Sequence, residues 1–295
     1  MIDFNNTKIA FHLKTDSELE RAYFLFKMIS NQPLVKIGTL ATNFALKTNL
    51  PVEGLIRSTV FDHFCGGISS KDCIAKIDQM FKSKVYSILD YSVEGKQNES
   101  QFEFITNKTI DLIDFAVNNK SVPFSVFKPT AVGRFEIYRK VSQSEKLEDF
   151  ELEEWNKIKK RFDRIFNHAK KNNIPVLVDA EESWIQTSVD DLLLYFMKKY
   201  NKINPIIYNT LQAYRWDRYD YLVKLHEKAK NENFVIGIKL VRGAYMEKER
   251  AHANDKGYIS PICKTKLETD KNFDNCLTFM MDNLDYFRLY IGTHN

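Results

Sequence analysis

The chain has 295 residues, 44% of them hydrophobic and 13% aromatic, which is enough to bury the core of one large domain with an appendage, or of two domains. Its 43 basic and 39 acidic residues are interleaved and leave a net charge of +4, so no basic field for nucleic acid is expected. No apolar run reaches the ~18 residues that span a bilayer, the six histidines show no metal-ligand spacing, and the four cysteines form no Cys-x-x-Cys pair. With no secretory leader read at Met1, the expectation is a cytoplasmic chain with reduced thiols, with peripheral contact at the inner face of a membrane left open.

Residues 1–82 read as an all-helical N-terminal region. Thr15 and Glu18 have capping-box spacing before an apolar run to Ile29, Pro51 is placed to open a helix ending near Gly66 and Gly67, and a third helix is predicted from Ser70 through Ile74, Ile77 and Phe81. From residue 83 onward the pattern changes. Six apolar runs, at 86–95, 125–130, 174–182, 203–214, 234–245 and 287–295, each end in a polar cluster, and stretches of helical length separate them.

That alternation predicts parallel strands with helical crossovers, a (βα)8-type barrel whose chemistry collects at the carboxyl ends of the strands. An open doubly wound sheet is the alternative, but the chain has no glycine-rich dinucleotide loop, and Gly66-Gly67 follows no strand. Within the barrel region, residues 147–171 form an amphipathic pattern with Trp155, Ile158, Phe162 and Ile165 on one stripe and a Glu153–Lys157 pair outside it. Lysine runs such as Lys159-Lys160-Arg161 and Lys198-Lys199 read as solvated faces.

Side chains alternate between the two faces of a strand. In the fifth predicted strand Ile236, Ile238 and Leu240 share a helix-facing side, which sends Gly237 and Lys239 inward. The same count points Leu177 and Asp179 inward on the third strand, groups Tyr208, Thr210 and Gln212 on one face of the fourth, and sets Lys128 opposite in parity to Phe127 on the second. Lys128, Asp179, Gln212 and Lys239 therefore converge on one mouth. A structural reading stands beside this one: Lys128 and Asp179 as a buried ion pair, Gln212 as a tie to loop backbone, Tyr208 as core, and Glu181 and Glu182 as helix-start residues favoured by the dipole. Charges converging at one end of successive strands favour a ligand among them.

The ordered motifs Leu-Asp-Tyr-Ser-Val-Glu-Gly at 89–95, Val-Asp-Ala-Glu-Glu at 178–182, Leu-Gln-Ala-Tyr at 211–214, Lys-Leu-Val-Arg-Gly-Ala-Tyr at 239–245, Pro261-Ile262 with Thr269-Asp270, and Gly-Thr-His-Asn at 292–295 resemble those of proline dehydrogenase. The resemblance runs from about residue 86 to 295. It implies an FAD enzyme on a distorted TIM barrel that oxidises L-proline to Δ1-pyrroline-5-carboxylate and passes electrons to a quinone. By position it places Lys128, Asp179 and Tyr245 in the catalytic site. It implies that Gln212, Lys239, Arg242, Gly243, Ala244, Thr265, Lys266, Thr293, His294 and Asn295 hold the cofactor.

Residues 287–295 look like the sixth strand of eight, so the expectation is a barrel truncated after the sixth strand, an ~250-residue barrel calling for on the order of 70 more residues. The family's Tyr-x-x-Arg-Arg segment, which grips the proline carboxylate, has no counterpart in the chain, so the expectation is weak proline binding, or none, by this chain alone. Two other functions fit parts of the pattern. One is a Schiff-base aldolase using Lys239 or Lys128, and the other is a catalytically incompetent fragment of the same family.

Overall fold

The computed structural model describes residues 5–48, 50–52, 54, 60–91 and 98–293. It divides into two compact units, one up to Ser87 and one from Ile88. In the first unit the predicted capping box is present: Thr15 N donates to Glu18 Oε2 at 2.8 Å and Glu18 N to Thr15 Oγ1 at 3.3 Å, opening the helix Asp16–Ile29. A second box, Ser69 with Asp72, opens the helix Ser70–Lys82. Pro51 lies in a bend and not in a helical first turn; the described helix nearest Gly66 is Asp62–Phe64, and residues 55–59 of the predicted helix lie outside the described residues. Among the described residues of this unit only Leu25, Ala45, Cys73 and Ile77 are buried, so its core is thin.

The second unit is a parallel sheet of five strands in sequential order: β1 (Ser125–Phe127), β2 (Val176–Val178), β3 (Ile207–Gln212), β4 (Ile236–Val241) and β5 (Phe287–Gly292). Each new strand adds to the same edge, and a doubly wound sheet would reverse direction at a switch point. The sheet is an arc of a (βα) barrel that is not closed among the described residues. These strands correspond to the second through sixth predicted ones.

Among the described residues of the first predicted strand one parallel bridge is present, Leu89 to Ser125, and the end of that strand at 92–95 lies outside the described residues. Among the described residues the expected six strands are thus five and a bridge. β1 is short because Pro129 has no N–H to donate and starts the 3-10 turn Pro129–Ala131.

Parity along the strands separates two apolar layers. Val176, Val178, Ile207, Leu211, Ile236, Ile238 and Leu240 pack outward with Phe162, Phe166 and Phe196 of the surrounding helices. Val126, Leu177 and Tyr208 form the inner layer, with Ile88, Phe124 and Tyr290 against them. Gly237 faces Tyr208 in the β3–β4 register, and a Cβ there would come within 2.8 Å of the tyrosine ring, so its lack of a side chain lets Tyr208 fill the lumen.

The helix Asp149–Asn172 buries Ile158, Phe162 and Ile165 as its periodicity predicts. Two details differ from the sequence reading. Lys157 lies 3.8 Å from Glu99 on the neighbouring helix, not against Glu153. Arg161, expected on a solvated face, is 2% exposed; its guanidinium is held by Glu99, by Glu103 at 2.8 Å and by the Val132 carbonyl at 3.1 Å. A buried guanidinium is tolerable only with such partners. No described helix is long and apolar enough to cross a membrane.

Candidate active site

The strand ends converge on a cavity of about 430 Å³. Its floor is one carboxylate shared by two ammonium groups: Lys128 Nζ donates to Asp179 Oδ2 at 2.9 Å and Lys239 Nζ to Asp179 Oδ1 at 2.6 Å. The ladder fixes these positions, because Asp179 N still pairs with the Phe127 carbonyl at 3.0 Å beyond β2, and Lys239 sits within β4 opposite Thr210. Burial works to raise the Asp179 carboxyl, but Lys239 and Lys128 outweigh it and hold the group below the usual carboxylate range. Burial likewise works against the Lys128 charge, and Asp179 overcomes it, so this ammonium titrates above an ordinary lysine.

Above this floor, Gln212 ties the loops after β2 and β4 together. Its Nε2 donates to the Glu181 carbonyl at 2.8 Å, and its Oε1 accepts from Ala244 N at 3.4 Å. Arg242 is oriented on three sides: Nε donates to Asp270 Oδ1 at 2.7 Å, Nη1 donates to Thr293 Oγ1 at 3.0 Å, and the guanidinium lies 4.6 Å from the Phe273 ring centroid. Lys266 reaches the same Asp270 carboxylate. Gly243 has φ +138°, and a Cβ there would stand 2.6 Å from the Tyr214 ring. Tyr245 completes the wall, its phenol raised by burial.

Among the described residues lining the cavity, the cations Lys128, Lys239, Arg242 and Lys266 outnumber the acid Asp179, and Asp270 pairs with Arg242 and Lys266. The surplus of positive charge suits an anionic ligand, a phosphate, a carboxylate or a ring that gains electrons.

Lys128, Asp179, Gln212, Lys239, Arg242, Gly243, Ala244, Tyr245, Lys266 and Thr293 all line this one cavity. Thr265 does not: its hydroxyl accepts from Glu268 N at 3.1 Å and caps the helix Lys266–Met281, as an N-cap threonine does. His294 and Asn295 lie outside the described residues. Of the structural readings, the Gln212 loop tie and the core Tyr208 are present; the Lys128–Asp179 pair is present too, but with the Lys128 side chain 38% exposed it is not a buried pair.

Three acids at the site carry no catalytic or cofactor role in the sequence reading. Asp90 follows Leu89 with the parity of inward Ile88. It is solvent-exposed on one side, yet the protein packed on its other side raises its carboxyl, with Lys128, Asp179 and Lys239 nearby. Glu181 is buried and pushed up to about 7 by that burial, while Thr130 donates to it from N at 2.9 Å and from Oγ1 at 2.7 Å. Asp270 is four residues after Lys266 on one helix, a spacing that predicts the pair, but its grip on Arg242 crosses between elements.

The family model described as proline dehydrogenase matches residues 73–295. The chain is 32% identical over 243 residues to the carbapenem antibiotics biosynthesis protein CarD of Pectobacterium carotovorum subsp. carotovorum, covering 82% of the chain and 64% of that protein. It is 27% identical to mitochondrial proline dehydrogenase 1 of Arabidopsis thaliana over 344 residues, covering 100% of the chain and 68% of the relative. The fold is similar to that of proline utilization A from Bdellovibrio bacteriovorus inactivated by N-propargylglycine, with a TM-score of 0.71 at 19% identity, over 82% of the chain and 26% of that structure. The chain thus spans about two thirds of the length of these curated relatives and about a quarter of the solved chain. With the family model covering every strand of the sheet and every described residue of the cavity, the chain belongs to the proline dehydrogenase family.

Proposed function

We propose that the chain binds FAD and oxidises L-proline to Δ1-pyrroline-5-carboxylate, with a quinone taking the electrons onward. The observation that carries this reading is the Lys128–Asp179–Lys239 cluster at the base of a cationic cavity at the strand ends.

The residues present fit a flavin. Lys239 and Arg242 offer positive charge where the reduced ring gains electrons, Lys266 and Thr293 offer a cation and a hydroxyl for phosphate, and Gly243 and Ala244 allow close backbone approach. A bound flavin supplies the acceptor for the hydride that leaves the proline carbon beside nitrogen. As that carbon–hydrogen bond breaks, the nitrogen lone pair forms the C=N bond and positive charge develops there. Asp179, held ionised by its lysines, is the group that stabilises that charge, while Lys128 and Tyr245 place the substrate.

The lysine-nucleophile alternative has little support. A Schiff base needs a free amine, whereas Lys128 titrates above an ordinary lysine and Lys239 donates to the same carboxylate at 2.6 Å.

The test is the visible spectrum of the purified chain with FAD, recorded anaerobically before and after L-proline. Bleaching supports the full reading. Bound flavin that stays oxidised rejects proline oxidation by this chain and leaves a flavin-binding member of the family, and failure to retain flavin rejects the cofactor site as well.

A further inference from the structure

One fully buried acid has no part in the chemistry above. Glu249 lies on the helix Met246–Lys256, which begins directly after Tyr245, and its side chain is 0% exposed. Burying a carboxylate without compensation is costly. Both of its oxygens are compensated by one residue of another element: Ser183 N donates to Oε1 and Ser183 Oγ to Oε2, each at 2.6 Å.

Ser183 is the first residue of the helix Ser183–Tyr200. That helix has no side-chain cap of its own, since Glu182 at the N-cap position makes no capping hydrogen bond, and its first turn carries no acid. The unpaired N–H groups and positive dipole end of a helix call for an acceptor with negative charge. Glu249 supplies it from a neighbouring segment. Lys248 reaches Glu182 beside it, so two consecutive residues of one helix grip two consecutive residues at the start of another.

The placement matters because of what each partner follows. Glu249 is one helical turn after Tyr245, to whose carbonyl its own N–H bonds at 2.8 Å. Ser183 comes four residues after Asp179. We propose that Glu249 is a positioning residue that caps the helix Ser183–Tyr200 from outside and thereby fixes Tyr245 relative to Asp179 in one cavity. The inference rests on the reading of that cavity as the reaction site only for its effect on rate; the clamp itself is a property of the chain.

The experiment uses the full chain with Glu249→Gln, Ser183→Ala and the double substitution. Ser183→Ala keeps the backbone contact, so it tests the clamp gently. Amide hydrogen exchange is read in residues 242–249, in residues 181–186 and in β3. Each single change is expected to speed exchange in the first two segments by about ten- to a hundredfold, as loss of one charge-assisted hydrogen bond implies. Exchange in β3 should not change, and the double substitution should add little to Glu249→Gln. With FAD and proline, KM should rise while the flavin spectrum stays as in the parent. Unchanged exchange in residues 242–249 overturns the proposal, and so does acceleration that includes β3, which marks a merely structural residue. If the parent chain never bleaches its flavin, the reaction reading fails, and the exchange data still decide the clamp.

Discussion

Asp90 and Asp179 stand beside the same pair of lysines and titrate in opposite directions: desolvation raises Asp90, whereas Lys239 and Lys128 depress Asp179. The difference is contact. Asp179 accepts from both ammonium groups, and no hydrogen bond from either lysine reaches Asp90. Asp179 therefore adds stability that is present above the ordinary value of 3.8 and is lost as pH falls through its lower folded value. Asp90 adds stability below 3.8 that is lost as pH rises through its higher folded value. Asp179→Asn should lower the urea midpoint at pH 7 and reduce proline-dependent flavin reduction by about a hundredfold or more, the scale of removing a preorganised electrostatic group. Asp90→Asn should leave the midpoint unchanged or raise it. The same loss from both substitutions would sink the distinction.

Glu181 supplies a pH dependence near neutrality. Its folded value of about 7 lies above the ordinary 4.5, so the folded state holds a proton that the unfolded chain has released. Stability from this group is full below 4.5 and falls as pH rises toward 7, by on the order of 3 kcal/mol. The hydrogen bonds from Thr130 and the charge of Lys128 favour its ionised form and Glu182 opposes it, but burial outweighs them. Glu181→Gln keeps an acceptor for Thr130 and removes the titration. Urea midpoints at pH 5 and pH 8 should therefore converge in that variant and differ in the parent; equal pH sensitivity in both proteins would assign the effect elsewhere.

Much of this site is legible in the chain because strand parity is a local property. Ile236, Ile238 and Leu240 declare one face of β4, so Lys239 must lie on the other, and the same count exposes Asp179 and Gln212. Helix starts are legible for the same reason, as Thr15 with Glu18 shows. Relations between elements are not. Nothing near Glu249 in the sequence says that it caps a helix 66 residues earlier, and Arg161 reads as one more cation in a basic run until Glu99 and Glu103 close over it. The extent of the first strand is not legible, because an apolar run limits where a strand can form without fixing how many residues pair; among its described residues Leu89 makes the one bridge.

Gly243 is predicted to be intolerant of any side chain. Tyr214 cannot yield easily, since its N–H bonds to the Arg242 carbonyl at 2.6 Å and its carbonyl accepts from Cys263 N at 2.7 Å. Gly243→Ala must meet that ring at 2.6 Å and adopt φ +138°, a strain costing about 1–3 kcal/mol. Flavin retention should fall with stability. Adding Tyr214→Ala should recover part of the stability by removing the clash while the backbone strain persists. No recovery would place the whole cost in φ.

Asp270 and Lys266 separate orientation from charge in the cofactor site. Both belong to the helix Lys266–Met281, and both touch the ion network around Arg242, but only Asp270 contacts the guanidinium. Asp270→Ala adds positive charge to the cavity and releases Arg242 Nε. If attraction for an anionic cofactor were all that mattered, this change would tighten flavin binding. Orientation predicts the reverse: the flavin dissociation constant should rise about tenfold, as expected for loss of one charge-assisted, geometrically specific bond. Lys266→Ala removes a cation yet leaves the Arg242–Asp270 pair intact, so its effect should be smaller and more readily masked by salt, because Lys266 is exposed. Titrating FAD into both variants at low and high ionic strength decides the matter, since tighter binding by the Asp270 variant would show that net charge, and not the aim of Arg242, holds the cofactor.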